Sequence, residues 1–393
     1  MNRFMELSLA YNDDTIEYRR YIHKNAECGF DLDTTLAFVR EKLTEFGYHP
    51  QECGGGLTCT VGKGAPCILL RADLDALPQE ELTGLPFASD HEACHSCGHD
   101  FHGAMLLTAA RILKELEDEL QGTVKFMFQP AEEKLAGCKA MLDAGILDNP
   151  KVDVAFGQHI FSGPAHEGSF RVGTFLYSKK AMMSSADAFY IHVKGKTSHG
   201  SQPEDGINAA SCAANIVVAL QQLITLEFPA DQMALFDCGV IQSGVAENII
   251  PEEALLRVCT RTYDQEIRTN LNQRIIEIAE AYGKAWRCGI SIERPLQAPS
   301  LKVDDQLQEE VVNSVSAFME PIYVHPTKGT EDFAYLSEKV PTAFIFLGGG
   351  DASDGKHIYT NHNPHILFDE EALPYGVAAY VGVAYDWLKK HHN

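Results

Sequence analysis

Positive charge is scarce in this sequence. The chain has 32 Lys and Arg residues against 55 Asp and Glu residues, which gives a formal net charge of −23. Nucleic acids and anionic membrane surfaces attract proteins that cluster Lys and Arg. We therefore expect neither a nucleic-acid partner nor a membrane partner, and the excess of acid mainly favours solubility.

Long hydrophobic runs and a leader segment are also missing from the sequence pattern. No run of about 18 consecutive apolar residues is apparent, and the N-terminal segment turns acidic before any apolar stretch could act as a signal. The 11 cysteines are odd in number and irregularly spaced, which favours a reduced compartment over a disulfide scaffold. We expect a cytoplasmic protein. Its 393 residues, 45% of them hydrophobic, suffice for two domain cores.

The order of predicted elements divides the chain into three segments. Strands and helices alternate across residues 60–160, which predicts an α/β domain built on a doubly wound, mostly parallel sheet. Residues 181–295 follow the order β-α-β-β-α-β, which is typical of a small α+β open-faced sandwich. We predict that this sandwich is inserted into the first domain, whose two parts are residues 1–180 and 296–393.

The densest group of reactive side chains is the loop CHSCGHDFH, residues 94–102. It contains two thiols, three imidazoles and a carboxylate. Gly98 separates Cys97 from His99 and lets the backbone turn tightly enough for both side chains to converge on one cation. The loop therefore predicts half of a metal site.

The C-x-x-C spacing of Cys94 and Cys97 also fits three other sites. A haem tether needs His directly after the second Cys, where this chain has Gly98. A structural zinc knuckle needs a second ligand pair within about 20 residues, and none follows. A redox pair, or a nucleophilic cysteine activated by His99, remains an alternative.

Several predicted strands end in residues that can bind metal. In α/β proteins, ligands bind at the carboxyl ends of the strands. The residues at these strand ends are Asp73 and Asp75, Glu132 and Glu133, and His159. A plainer interpretation is that the aspartates cap turns and that the glutamates are acids at a helix start. Adjacent side chains on a helix diverge by roughly 100°. One glutamate could therefore bind a metal ion while the other contacts a water.

Taken together, five residues qualify as metal ligands: Cys97, His99, Glu133, His159 and His362. This is more than one tetrahedral ion uses, which favours two ions sharing a ligand. Thiolate and imidazole ligands favour Zn, Ni, Co or Mn over Mg and Ca. Glu132 is then available for proton transfer, and Asp75 or Asp100 could orient a ligand imidazole.

Several short motifs occur in one order along nearly the whole chain. They are RADLDALP at 71–78, SCGHDFH at 96–102, FQPAEE at 128–133, GQH at 157–159, NIIP at 248–251, GTEDF at 329–333 and HNP at 362–364. In these motifs the chain resembles the M20 metallopeptidases. The resemblance is to their amidohydrolase branch, which includes N-acyl-amino-acid, hippurate and auxin-conjugate hydrolases.

The resemblance implies an aminoacylase- or carboxypeptidase-like hydrolase that cleaves the amide bond between an acyl group and a free amino acid. It implies a two-metal catalytic domain interrupted by a lid or dimerisation domain, and a homodimer formed through that lid. The five residues above would be the ligands, and Glu132 would be the general base and acid. His199, Asn248 and Arg261 match positions that hold the substrate carboxylate or the oxyanion.

The chain departs from the family pattern at three places. Ala26 replaces a proline near the start, and Glu204 stands where the lid often has a histidine. Residues 134–136, Lys-Leu-Ala, replace a glycine run and are expected to reshape the pocket wall. The rival hypotheses are a thiol enzyme or redox protein using Cys94 and Cys97, and a metal-binding scaffold without catalysis, which the paired glutamates disfavour.

Overall fold

The computed structural model describes residues 2–392. The strands are β1 Gln51–Cys53, β2 Gly56–Gly62, β3 Cys67–Asp73, β4 Thr123–Gln129, β5 Val154–Gly163, β6 Thr174–Tyr177, β7 Ala181–Met183, β8 Ala186–Lys194, β9 Ser198–His199, β10 Ala234–Ser243, β11 Ile249–Ile250, β12 Glu253–Thr262, β13 Gly289–Ala298, β14 Leu301–Lys302, β15 Glu320–Tyr323 and β16 Thr342–Asp351. The α-helices are α1 Arg3–Ala10, α2 Asn12–Lys24, α3 Asp33–Glu45, α4 His99–Glu115, α5 Gly137–Asp143, α6 Ala209–Glu227, α7 Gln265–Trp286, α8 Asp305–Val315, α9 Ala334–Ser337 and α10 Leu373–His391.

The larger of two compact units comprises residues 2–182, 302–325 and 332–392. Its eight-stranded sheet has the order β1-β2-β4-β3-β5-β16-β6-β15. The four central strands β4, β3, β5 and β16 are parallel to one another, whereas β2 and β6 on either side of them pair antiparallel. Every residue of β3 and β4 is buried, as expected of parallel strands covered on both faces. The predicted α/β fold with a large, mostly parallel sheet is thus confirmed.

The smaller unit comprises residues 183–301 and 326–331. Its four-stranded antiparallel sheet has the order β10-β12-β8-β13. The larger elements follow the order β8-α6-β10-β12-α7-β13, which is the order predicted from the sequence. Alternate residues of β8 (Phe189, Ile191 and Val193) pack with Ile216 and Leu220 of α6 in a core of this unit's own.

Helix α6 is the most apolar of the long helices in the described part of the chain, although polar residues interrupt its apolar sequence. An 18-residue window of this helix has a mean hydropathy of 1.6, so α6 is long and apolar enough to cross a membrane by length and composition alone. The core helix of a soluble protein passes the same test, and α6 buries Cys212, Ile216 and Leu220 in its unit.

One local prediction near the parallel sheet is wrong, that His159 stands at the end of its strand. His159 lies within β5, because this strand continues to Gly163 beyond the point where its pairing with β3 stops at Gly157. The three consecutive glycines at 348–350 are buried within β16. A Cβ added at Gly348 would lie 2.2 Å from the Arg171 carbonyl oxygen, so close packing explains a glycine there.

Candidate metal centre

The paired glutamates lie in a turn between β4 and α5. Neither belongs to a helix, since Ala131 (φ +52°) and Leu135 (φ +50°) adopt left-handed conformations on either side of them. The carboxylate of Asp75 accepts hydrogen bonds from the main-chain N–H groups of Glu132 (2.8 Å) and Glu133 (3.2 Å). The helix-start interpretation is therefore wrong, and one buried carboxylate positions both glutamates.

The histidine loop passes directly into α4 through Gly98. Its φ of +88° suits glycine, and an added Cβ would lie 2.4 Å from Cγ2 of Ile160. Helix α4 consequently begins at His99, directly after Gly98. His99 Nδ1 lies 2.8 Å from the carbonyl oxygen of Asp75. Because a carbonyl can only accept, Nδ1 carries the proton and Nε2 presents a lone pair.

The five candidate ligands from the sequence come together in the larger unit. The Cys97 Sγ lies 3.4 Å from His159 Nε2 and 3.3 Å from His362 Nε2. Glu133 Oε1 lies 3.6 Å from His362 Nε2 and 3.9 Å from His99 Nε2. The ligand atoms form two groups, Cys97-His99-His159 and Cys97-Glu133-His362, and Cys97 belongs to both.

These side chains fit divalent metal ions. Metal–ligand bonds of 2.0–2.3 Å at tetrahedral angles place two ligand atoms about 3.3–3.8 Å apart, close to the separations found here. Within residues 2–392, neither His99 Nε2 nor Glu133 Oε1 has a hydrogen-bond partner, although both atoms are buried. Buried polar atoms normally have a partner, and a cation would supply one. His159 Nδ1 donates to the Ile160 carbonyl (2.8 Å), so its Nε2 also presents a lone pair.

Glu132 lies beside this cluster, with 6% of its surface exposed. Carboxylate oxygens of Glu132 and Glu133 and a nitrogen of His99 all lie within 4.8 Å of one another. The main-chain N–H of Asp332 donates to Glu132 Oε1 at 3.3 Å. Glu132 is thus held at the edge of the ligand cluster.

His102 is a third buried imidazole of the loop, but both of its nitrogens are already used. Nδ1 lies 2.5 Å from Asp73 Oδ1, and Nε2 accepts the main-chain N–H of Ile160 at 2.8 Å. His102 therefore has no lone pair for a metal. It ties α4 to β5 next to His159, a role that the sequence analysis missed.

A buried arginine connects this region to the glutamate turn. Arg71, inside β3, donates to Gln129 Oε1 (2.9 Å), Asp73 Oδ2 (2.6 Å) and Asp332 Oδ1 (3.0 Å). Asp332 in turn contacts Glu132 through its main-chain N–H. The signal in the sequence was a charged residue within an otherwise apolar strand, since a fully buried arginine needs carboxylate partners.

Of the two aspartates expected to orient a ligand imidazole, only Asp75 does so, through its carbonyl. Asp100 instead accepts from Arg19 Nε (2.7 Å) and His23 Nδ1 (2.8 Å). Burial opposes ionisation of Asp100, but Arg19 and His23 hold the pKa of its carboxyl well below the usual value. Asp100 therefore anchors the start of α4 to α2.

The thiol alternative finds no support in the geometry. Cys94 is buried, and its main chain pairs with Leu77 through hydrogen bonds of 2.9 and 3.1 Å. Burial raises the pKa of the Cys94 thiol to about 12, so the nucleophilic thiolate is not formed at neutral pH. The Cys97 sulfur faces His159 and His362.

The three candidate substrate-binding residues lie in the smaller unit. His199 of β9 pairs with Ile249 of β11, and the N–H of Gly200 donates to the Asn248 carbonyl at 2.7 Å. The structure thus brings His199 and Asn248 into neighbouring turns. Arg261 of β12 instead contacts the segment 326–331, where its Nη1 donates to the Lys328 carbonyl (2.9 Å) and the Thr330 hydroxyl (2.7 Å).

Fold and site together define the class of protein, an α/β enzyme whose clustered side chains suit divalent metal ions. The model of peptidase family M20/M25/M40 matches residues 69–386. The chain belongs to this family and is a metal amidohydrolase or peptidase, which confirms the resemblance seen in the motifs.

Known relatives match the chain over most of their length. An N-acetyl-L-cysteine deacetylase of Bacillus subtilis is 34% identical, covering 91% of this chain and 84% of the relative. A hippurate hydrolase of Campylobacter jejuni is 33% identical, covering 94% and 96%. Among solved structures, a dinuclear metal-binding peptidase of the M20 family from Bacillus subtilis superposes with a TM-score of 0.82 at 29% identity, covering 97% of this chain and 99% of that one.

Proposed function

We propose that this protein is a metal-dependent amidohydrolase that cleaves the amide bond of N-acyl amino acids or of small dipeptide-like conjugates. The observation that carries the proposal is a buried glutamate, Glu132, fixed next to five clustered ligand side chains. The deacetylase and hippurate hydrolase activities of the two relatives support this substrate class.

In this proposal the ligands Cys97, His99, Glu133, His159 and His362 hold two divalent ions of Zn, Mn, Co or Ni. Cys97 is the candidate shared ligand, because it belongs to both groups of ligand atoms. When bound, such ions polarise a carbonyl and lower the pKa of a coordinated water. A divalent cation also favours the thiolate form of Cys97.

Glu132 carries out the proton transfers. Its carboxylate accepts a proton from the water that attacks the amide carbonyl, and then gives this proton to the nitrogen as the C–N bond breaks. The products are the carboxylic acid and the free amino acid. Asp75 holds the main chain of Glu132, and the Asp332 N–H holds its carboxylate. We assign to His199, Asn248 and Arg261 the binding of the substrate carboxylate or the developing oxyanion.

We further propose that the smaller unit is a lid and dimerisation domain, near the predicted range 181–295, and that the enzyme is a cytoplasmic homodimer without nucleic-acid or membrane partners. Helix α6 supports the dimer, because it exposes Val218 (56%) and Leu226 (78%) and carries no charge before Glu227. Sedimentation at working concentration checks this: twice the chain mass is expected, and a monomer contradicts it.

The proposed activity is tested on purified protein with a panel of N-acetyl and N-benzoyl amino acids. Each substrate is assayed with the protein as isolated, after chelation, and after addition of Mn, Zn, Co or Ni. We expect hydrolysis that is lost on chelation and restored by metal. Hydrolysis that is indifferent to chelation would indicate a Cys97 nucleophile, and no hydrolysis with metal present would show that the substrate class is wrong.

A further inference from the structure

Lys134 immediately follows the candidate ligand Glu133, and its side chain is exposed. In the part of the chain that the structure describes, its ammonium has neither a hydrogen bond nor an ion-pair partner. Other lysines nearby in the chain are paired, as Lys114 is with Glu117 and Lys139 with Asp143. What distinguishes Lys134 is its position in the chain, because it directly follows the candidate ligand Glu133.

The Lys134 side chain has a defined place at the rim of the site. It crosses the surface of Gly29, where an added Cβ would lie 2.4 Å from Nζ and 2.5 Å from Cε. The Gly29 carbonyl accepts the N–H of Ala131 at 3.0 Å, which ties this loop to the glutamate turn. Since neighbouring Cα atoms are about 3.8 Å apart, Lys134 and Glu133 are anchored side by side.

The pKa of the Cys28 thiol responds to the charges of both Lys134 and Glu133. The thiol of Cys28 is half-buried, and burial followed by the charge of Asp75 raises its pKa. Lys134 opposes this rise and Glu133 adds to it. The charges of Lys134 and Glu133 therefore both act on the Cys28 sulfur.

We propose that Lys134 is a specificity-determining residue that selects substrates carrying a second carboxylate, in addition to the free carboxylate of the amino acid. This inference rests on the proposed function. An exposed ammonium that has no carboxylate partner attracts a substrate anion that comes within its reach. The second carboxylate has two sources, a dicarboxylic acyl group such as succinyl or an acidic side chain of the amino acid.

Two matched substrate pairs separate these sources. The first pair is N-succinyl-L-alanine and N-butanoyl-L-alanine, and the second is N-acetyl-L-glutamate and N-acetyl-L-glutamine. In one pair we expect kcat/KM to be at least about threefold higher for the anionic member, which is the size of a partly screened ion pair. This ratio should fall at about 0.5 M salt, because salt screens the charges. The pair that shows the preference identifies the source.

Variants then assign the preference to the ammonium. We expect Lys134→Met to remove it, Lys134→Glu to reverse it and Lys134→Arg to keep it. Lys139→Met makes the same change of charge on α5 and serves as the matched control, with the preference retained.

Equal kcat/KM values within both pairs, or a preference that survives in Lys134→Met, would overturn the inference. The proposed function has its own readout, because the two neutral substrates should be hydrolysed in a metal-dependent way whatever Lys134 does. If none of the four substrates is hydrolysed with metal present, the proposed function and this inference both fail.

Discussion

Replacing Glu132 with glutamine is expected to lower kcat by about 10²–10⁴-fold, the usual contribution of a general acid–base group. Glutamine keeps the shape of the side chain and an oxygen that can accept the N–H of Asp332. It cannot take a proton from water at neutral pH. Because Glu132 is not among the five candidate ligands, the variant should bind as much metal as the wild type.

The experiment compares kcat and metal content in the same preparations. Glu52→Gln, a change on an exposed strand at the sheet edge, is the matched control and should leave both unchanged. Loss of activity together with loss of metal would make Glu132 a ligand rather than a base. Wild-type turnover in Glu132→Gln with metal retained would remove it from the mechanism.

Arg71→Met is expected to lower the free energy of unfolding of the larger unit by about 3–5 kcal/mol, since it leaves buried carboxylates without their counter-charge. Arg71 contacts Asp73 and Asp332 with no side-chain exposure on any of the three residues. A typical domain is stable by only about 5–15 kcal/mol. The change should therefore disturb both the His102–Asp73 bond and the position of Glu132.

Arg171→Met provides the matched control for this substitution. Arg171 also pairs with a carboxylate, that of Glu320, but both side chains are exposed. Surface pairs contribute about 0–1 kcal/mol, so the control should unfold at nearly the wild-type urea concentration. Equal shifts of the unfolding midpoint in the two variants would contradict the importance of the buried network.

The sequence predicted the sheet, and it singled out the candidate ligands that the structure brings together, because both follow from local patterns. Buried strands such as β3 and β4 appear as apolar runs, and the ligand residues stand in short motifs at their ends. The turn that holds the glutamates was missed. Its left-handed residues, Ala131 and Leu135, depend on tertiary contacts, above all the Asp75 carboxylate, that sequence spacing does not show.

The network behind the ligands was missed for a related reason. Arg71 and Asp332 are 261 residues apart in the chain, so nothing local joins them. His102 looked equivalent to His99 in the sequence, and only its bonds to Asp73 and the Ile160 N–H distinguish a positioning imidazole from a ligand.

The most direct test of the metal centre is the metal-to-protein ratio, measured by elemental mass spectrometry after loading and dialysis. The proposal expects two divalent ions per chain in the wild type and fewer in Cys97→Ala, since Cys97 contributes to both groups of ligands. One ion or none in the active wild type, or two ions undiminished in Cys97→Ala, would contradict a two-metal centre that shares this thiolate.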